Sequence, residues 1–273
     1  MALVPFPSVT PGDPRDDDDD PLTDDAGSKM SFLEHLDELR KRLIYIVYSL
    51  IFGCVIAYIF IGKLFDFIMR PMYELLRGPD GKAVQLIYTA GPEPFMLYVK
   101  IGFLAGVFIA SPLILWQVWK FIAPGLYSHE KKFAIPFVLM STIFFVAGGC
   151  FAHYVAFPVT WLFFNSWHND YMTFMPKVDD AFSLYTKMLL GSGLIFEMPT
   201  LVLFLARMGV VNAKMLLKYF KYAFLAIFII AAVISPGTDM ASQLVMAIPM
   251  LGLYIISIAI AFIFQKRTKP ATD

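Results

Sequence analysis

Ser31-Phe32-Leu33-Glu34-His35-Leu36-Asp37-Glu38-Leu39-Arg40-Lys41-Arg42-Leu43 leads straight into an uncharged run that stops only at Lys63. Leu43 to Gly62 is long enough to cross the roughly 30 Å of hydrocarbon that about 20 helical residues span. The charged block before it is helical by its own pattern. Phe32, Leu36, Leu39 and Leu43 recur on one side, and Ser31 with Glu34 forms an S-x-x-E capping box. Asp37/Lys41 and Glu38/Arg42 are i,i+4 pairs with the acid first, each worth a few tenths of a kcal/mol. A short amphipathic helix start therefore lies at the bilayer surface and continues into a first span.

Working outward, 58% of the 273 residues are hydrophobic, far more than a soluble domain carries. Apolar runs between charges predict further spans at about 95–119, 133–157, 182–206, 222–235 and 244–264. The fifth is only about 21 Å long and implies local thinning of the bilayer or shelter by neighbours. The expectation is an all-α integral membrane protein with six transmembrane helices. Fourteen lysines and arginines fall on segments sharing a side with the N-terminus, against seven on the other, which predicts that both termini are cytoplasmic.

The membrane domain is expected over 29–265. Residues 1–28 hold eight of the 22 acids, including Asp16 to Asp20, and read as a disordered tail; 266–273 form a short cytoplasmic tail. No cleaved targeting segment is visible at the N-terminus. Cys54 and Cys150 fall inside spans and read as small apolar residues. Two longer segments are expected outside and together form a cap. Lys63 to Arg77 reads as an amphipathic helix interrupted at Pro71, and Pro158 to Ala181 is rich in interface-seeking aromatics.

Motifs for nucleotides, metals or redox thiols are missing: there is no G-x-x-x-x-G-K-[ST], H-E-x-x-H or C-x-x-C. No catalytic residue, metal, cofactor or nucleic-acid partner is expected. Gly191-Ser192-Gly193 resembles a loose intramembrane protease motif, but small residues there also permit close helix packing. Glu197 lies ten residues from both Lys187 and Arg207, near the bilayer midplane, where a carboxylate must be protonated, paired or turned to a polar groove or partner. A structural hydrogen bond, proton handling and a partner-helix contact all fit it. Between spans two and three, Trp119 to Lys132 contains aromatics, a Pro124-Gly125 turn and one acid, Glu130. Asp239 follows Ser235-Pro236-Gly237-Thr238 in an outer turn, where an N-cap or turn role competes with a functional one.

Taken in order, HLDELRKRL (35–43), FIAPGLYSHE (121–130), FEMP (196–199) and SPGTD (235–239) resemble the TatC family, the multispanning core of the twin-arginine protein translocase. The resemblance spans about residues 30–265 and implies six spans around a concave groove. It implies a receptor for Arg-Arg signal peptides on folded cargo, driven by the proton gradient in a prokaryotic inner membrane. It places signal-peptide binding on Glu38, Phe121 and Glu130, with Arg40, Arg42 and Pro124 as motif support. Glu197 becomes an intramembrane polar or partner contact, and Pro71 and Asp239 become functional outer-loop positions. Implied partners are signal peptides, small single-span Tat subunits (TatA/TatB type), the lipid bilayer and further copies of the chain. The alternative is a proton-coupled small-molecule transporter with Glu197 as the coupling carboxylate.

Overall fold

The computed structural model describes residues 32–75, 86–122, 134–167, 174–235 and 240–264. The chain divides into two units, Met1–Arg40 and Lys41–Asp273. Of the first, the described part is the start of helix α1 (Phe32–Ile59). Ser31, and with it the capping box, lies outside the described residues, as do the acidic tail and residues 265–273.

After α1 come α2 (Ile61–Glu74), α3 (Glu93–Ile122) and α4 (Ala134–Phe151), which passes through one π turn (Ala152–Ala156) into α5 (Phe157–Asn165). Next are α6 (Val178–Phe196), α7 (Met198–Arg207), α8 (Ala213–Lys218), α9 (Phe220–Ile234) and α10 (Met240–Phe264). Among the described residues the only extended pairing is a single parallel bridge between Ile87 and Lys177. Five stretches are long and apolar enough to cross a membrane: Glu34–Ile59, Glu93–Ile122, Ile135–Asn165, Val178–Arg207 and Ser242–Phe264. The predicted fifth span corresponds to α9, a shorter apolar helix of 15 residues. The molecule is an integral membrane protein.

The third stretch runs on past the predicted end at 157. Pro158 has no N–H and its ring crowds the carbonyl four residues back, which would normally stop or kink a helix. The chain absorbs this by widening, so that the Phe157 N–H donates five residues back to Ala152 O, and helix continues to Asn165. Likewise α2 is not interrupted at Pro71 but continues through it to Glu74. Its Ile68 and Met72 are buried while Lys63, Asp66, Arg70 and Glu74 stay exposed, as an interfacial amphipathic helix requires.

The second of the segments read as an outer cap is joined to the stretch that leads into α3. Ile87 N–H donates to Pro176 O (3.2 Å), Val178 N–H donates to Ile87 O (2.9 Å), and Lys177 pairs with Glu93 at 2.9 Å. That hydrogen bond holds the Lys177 ammonium above its ordinary value. Lys100 and Asp179 form a second ion pair nearby. Beneath them lies the main core, in which Phe157, Trp161, Phe182 and Tyr185 pack with Met72, Ile101 and Leu104.

In lipid, apolar residues gain nothing by leaving the bilayer, so helices associate through close backbone approach at small residues. Gly53 sits against Gly106 O, and Gly106 against Cys54. Gly148 sits against the Ser192 carbonyl and the Gly193 Cα, while Gly193 lies under the Phe145 ring. Gly191-Ser192-Gly193 is thus packing surface, with Ser192 2% exposed. Cys54 and Cys150 are both free thiols. Gly148→Val would place its side chain against the backbone of Ser192 and Gly193. It should lower stability by about 1–3 kcal/mol, read as a fall in the unfolding midpoint in detergent.

Candidate functional site

The sequence candidates fall in three places. Glu38 and Arg40 lie in the first unit, on the turns of α1 that precede the uncharged run; Glu38 is half-buried and Arg40 exposed. Glu130, Pro124 and Asp239 lie outside the described residues. Arg42, Phe121, Glu197 and Pro71 are described in the second unit, with Pro71 half-buried in α2.

Arg42 Nη1 donates to Gln117 Oε1 at 3.3 Å, joining α1 to α3 one helical turn before Phe121. The motif arginine is therefore a clamp between α1 and α3, and Phe121 is the half-buried penultimate residue of the helix it clamps. Gln117 carried no signal of its own in the sequence, being one uncharged polar residue near the end of a span.

Glu197 sits at the break between α6 and α7. Pro199 cannot donate into the helical ladder, so the chain tightens, with Glu197 N–H donating to Leu194 O (3.2 Å), and the helix resumes with Leu201 N–H donating to Glu197 O (2.9 Å). The carboxyl is half-buried and borders a recess of about 470 Å³ walled by α3, α4, α6 and α7. Its Oε1 is buried and accepts no hydrogen bond, whereas Ser141 faces the carboxyl. Ser141 Oγ in turn accepts from Trp119 Nε1 at 3.2 Å. Trp119 is held by Phe137 (stacked, 5.0 Å) and Phe204 (edge-on, 4.8 Å), so one wall of the recess is rigid. Most of the remaining lining is aliphatic, including Val107, Ile114, Leu190 and Leu194.

Such a site offers one acceptor oxygen in an apolar recess. It can receive a hydrogen-bond donor carried by an apolar helix, or hold a proton itself. Two hydroxyls on the flanking helices do not close it: Ser192 Oγ on α6 and Thr200 Oγ1 on α7 are buried and also unpartnered.

Sequence reasoning passed over a second polar element. His153, in the π turn, is buried, and its Nδ1 lies 2.8 Å from the Tyr185 hydroxyl on α6. Its ring stacks on Phe67 of α2 at 4.3 Å. A histidine inside an apolar span was a legible signal by the same reasoning that singled out Glu197.

Known proteins resemble this arrangement over most of the chain. The family model described as Sec-independent protein translocase protein (TatC) matches residues 34–249. The protein of that name from Koribacter versatilis (strain Ellin345) is 38% identical over 248 residues, covering 91% of each chain. That from Desulforapulum autotrophicum (strain ATCC 43914 / DSM 3382 / VKM B-1955 / HRM2) is 40% identical over 239 residues, covering 88% of this chain and 87% of its own. The fold matches a crystal structure of the twin-arginine translocase receptor TatC with a TM-score of 0.71 and 36% identity, over 84% of this chain and 98% of that one. None of these relatives supports the small-molecule transporter reading.

Proposed function

We propose, because this chain belongs to the TatC family of Sec-independent protein translocase proteins, that it is the signal-peptide receptor of a twin-arginine translocase. It works in the prokaryotic cytoplasmic (inner) membrane with six spans and both termini in the cytoplasm, and moves folded cargo at the expense of the proton gradient. Its role is binding and transport, not covalent chemistry.

Glu38 carries the reading. It is a half-buried carboxylate on the helical turns just before the first uncharged run, among exposed residues that a peptide can reach. Glu130 supplies the second carboxylate, and Phe121 an apolar contact for the residues beside the arginine pair. A guanidinium is always charged and prefers a bidentate carboxylate, so two arginines call for two acids. At a membrane surface such pairs are stronger than in bulk water but avoid full desolvation.

Glu197 is assigned to the partners. Its recess accepts a single-span Tat subunit of the TatA/TatB type, whose helix presents a donor to Oε1 while its apolar face covers the aliphatic walls. A six-helix chain has no room for a folded protein, so several copies and their partners assemble for transport. Pro71 and Asp239 act on the opposite surface, where outer segments meet emerging cargo.

The reading is tested by photocrosslinking a signal peptide with a reactive residue beside its arginine pair. Adducts are expected within 31–43 and 119–132; adducts confined to other segments would overturn the assignment.

A further inference from the structure

A second pair of cavities lies beneath α2, the inner one lined by Phe108, Val146 and Leu189, which adjoin Val107, Phe145 and Leu190 of the first recess on α3, α4 and α6. The inner one, about 220 Å³, is bounded by α2, α3, α4, the π turn and α6. Its walls are almost wholly apolar, and its two buried polar groups, His153 and Tyr185, are turned to each other at 2.8 Å. A polar solute would find little to bind there. Val146 and His153 both line it and are seven residues apart, so it runs about 10 Å along the helix axis. It is long for its volume and smaller than the roughly 300–1,000 Å³ of ordinary ligand pockets. That shape suits part of a hydrocarbon chain.

The outer cavity, about 360 Å³, shares Phe67, His153 and Tyr154 with the inner one, so the two adjoin along these side chains. Its rim is charged: Arg70 and Glu74, ion-paired at 2.8 Å, stand at the end of α2 with side chains 76% and 52% exposed. An apolar slot next to a rim that carries a cation and an anion, at an interfacial helix, matches the layout of a zwitterionic phospholipid. We propose that the cavities beneath α2 bind a membrane phospholipid with an amine-bearing headgroup, one acyl chain inside and its phosphate on Arg70.

Charge complementarity fixes the orientation. The guanidinium takes two phosphate oxygens, and Glu74 accepts from the headgroup ammonium, so the rim pair is exchanged for two new charge-assisted contacts. A lipid with a net negative headgroup satisfies Arg70 but meets repulsion from Glu74.

The test uses the full chain in vesicles doped with one of three probes carrying the same diazirine-tipped acyl chain: phosphatidylethanolamine, phosphatidylglycerol or diacylglycerol. Adducts located by mass spectrometry should concentrate on Leu104, Phe108, Val146 and Leu189, strongest for phosphatidylethanolamine and several-fold weaker for diacylglycerol. Ala105→Phe, which fills the inner cavity, should cut labelling at least fivefold. Arg70→Gln alters only an exposed side chain and should bring all three probes to the diacylglycerol level. Equal labelling by the three probes in the unaltered chain, no response to Arg70→Gln, or cavity adducts to a second protein chain in place of lipid would each overturn the proposal.

Discussion

Glu38→Ala is expected to weaken binding of an Arg-Arg signal peptide about 10- to 100-fold, and Glu130→Ala to do the same. A hydrogen bond to a charged group is worth about 1.5–3 kcal/mol, and each 1.4 kcal/mol is tenfold in affinity. If each acid takes one guanidinium, the two losses add and the double variant binds at background; non-additivity would mean that both acids grip the same arginine. Replacing either signal arginine by lysine should cost less than deleting its acid, because charge is retained while the bidentate fork is lost. Calorimetry with purified protein and synthetic peptide reads all of these. Raising salt from 0.1 to 1 M should weaken the unaltered complex and leave the residual binding of the double variant nearly unmoved, since screening acts on the charged contacts alone. Unchanged affinity in both single variants, with insertion and unfolding midpoint intact, would remove the two-carboxylate receptor from consideration.

The places where sequence reading succeeded and failed have physical causes. Helix positions were legible because charge is expensive in hydrocarbon, so the gaps between charges report the helices almost directly. Their ends were less so. Pro71 read as an interruption and the third span was expected to end before Pro158, yet an interfacial helix and a π turn carried the backbone through both, because a helix can widen or shift its donors when neighbours hold it in place. Glu197 was legible from depth alone, and its neighbour Pro199 marks the helix break. That Oε1 is unpartnered, and that Ser141 and Trp119 brace the recess, depends on how α3, α4 and α6 are rotated. No single-residue pattern encodes that rotation. The Arg42–Gln117 clamp joins residues 75 apart and the His153–Tyr185 pair joins residues 32 apart; His153 was conspicuous in its span, but neither pairing had a local signature. Glycine marks the close packing in the structure. Gly53, Gly106 and Gly148 are placed where α1 meets α3 and where α4 meets α6, which is where small residues in apolar helices are required.

Glu197→Leu should separate stability from function in opposite directions. In the isolated chain Oε1 is a buried acceptor without a donor, a condition that costs about 1–3 kcal/mol. Leucine fills a comparable volume and suits the aliphatic walls of the recess, at the loss of the Ser141 contact. The unfolding midpoint in detergent should therefore rise, by an amount equivalent to about 1 kcal/mol. Export of a folded twin-arginine cargo should nevertheless fall at least tenfold, because the acceptor offered to a partner helix is gone. Glu197→Gln divides the two functional possibilities that the geometry allows. It keeps a carbonyl acceptor and the side-chain length but cannot exchange a proton, so a site that only grips a partner retains most activity while a site that must hold and release a proton loses it. Co-purification of the single-span subunits with each variant shows which contact was lost. Had Glu197 been there to stabilise its own fold, Leu would lower the midpoint and activity together, and that single result would return it to a structural role.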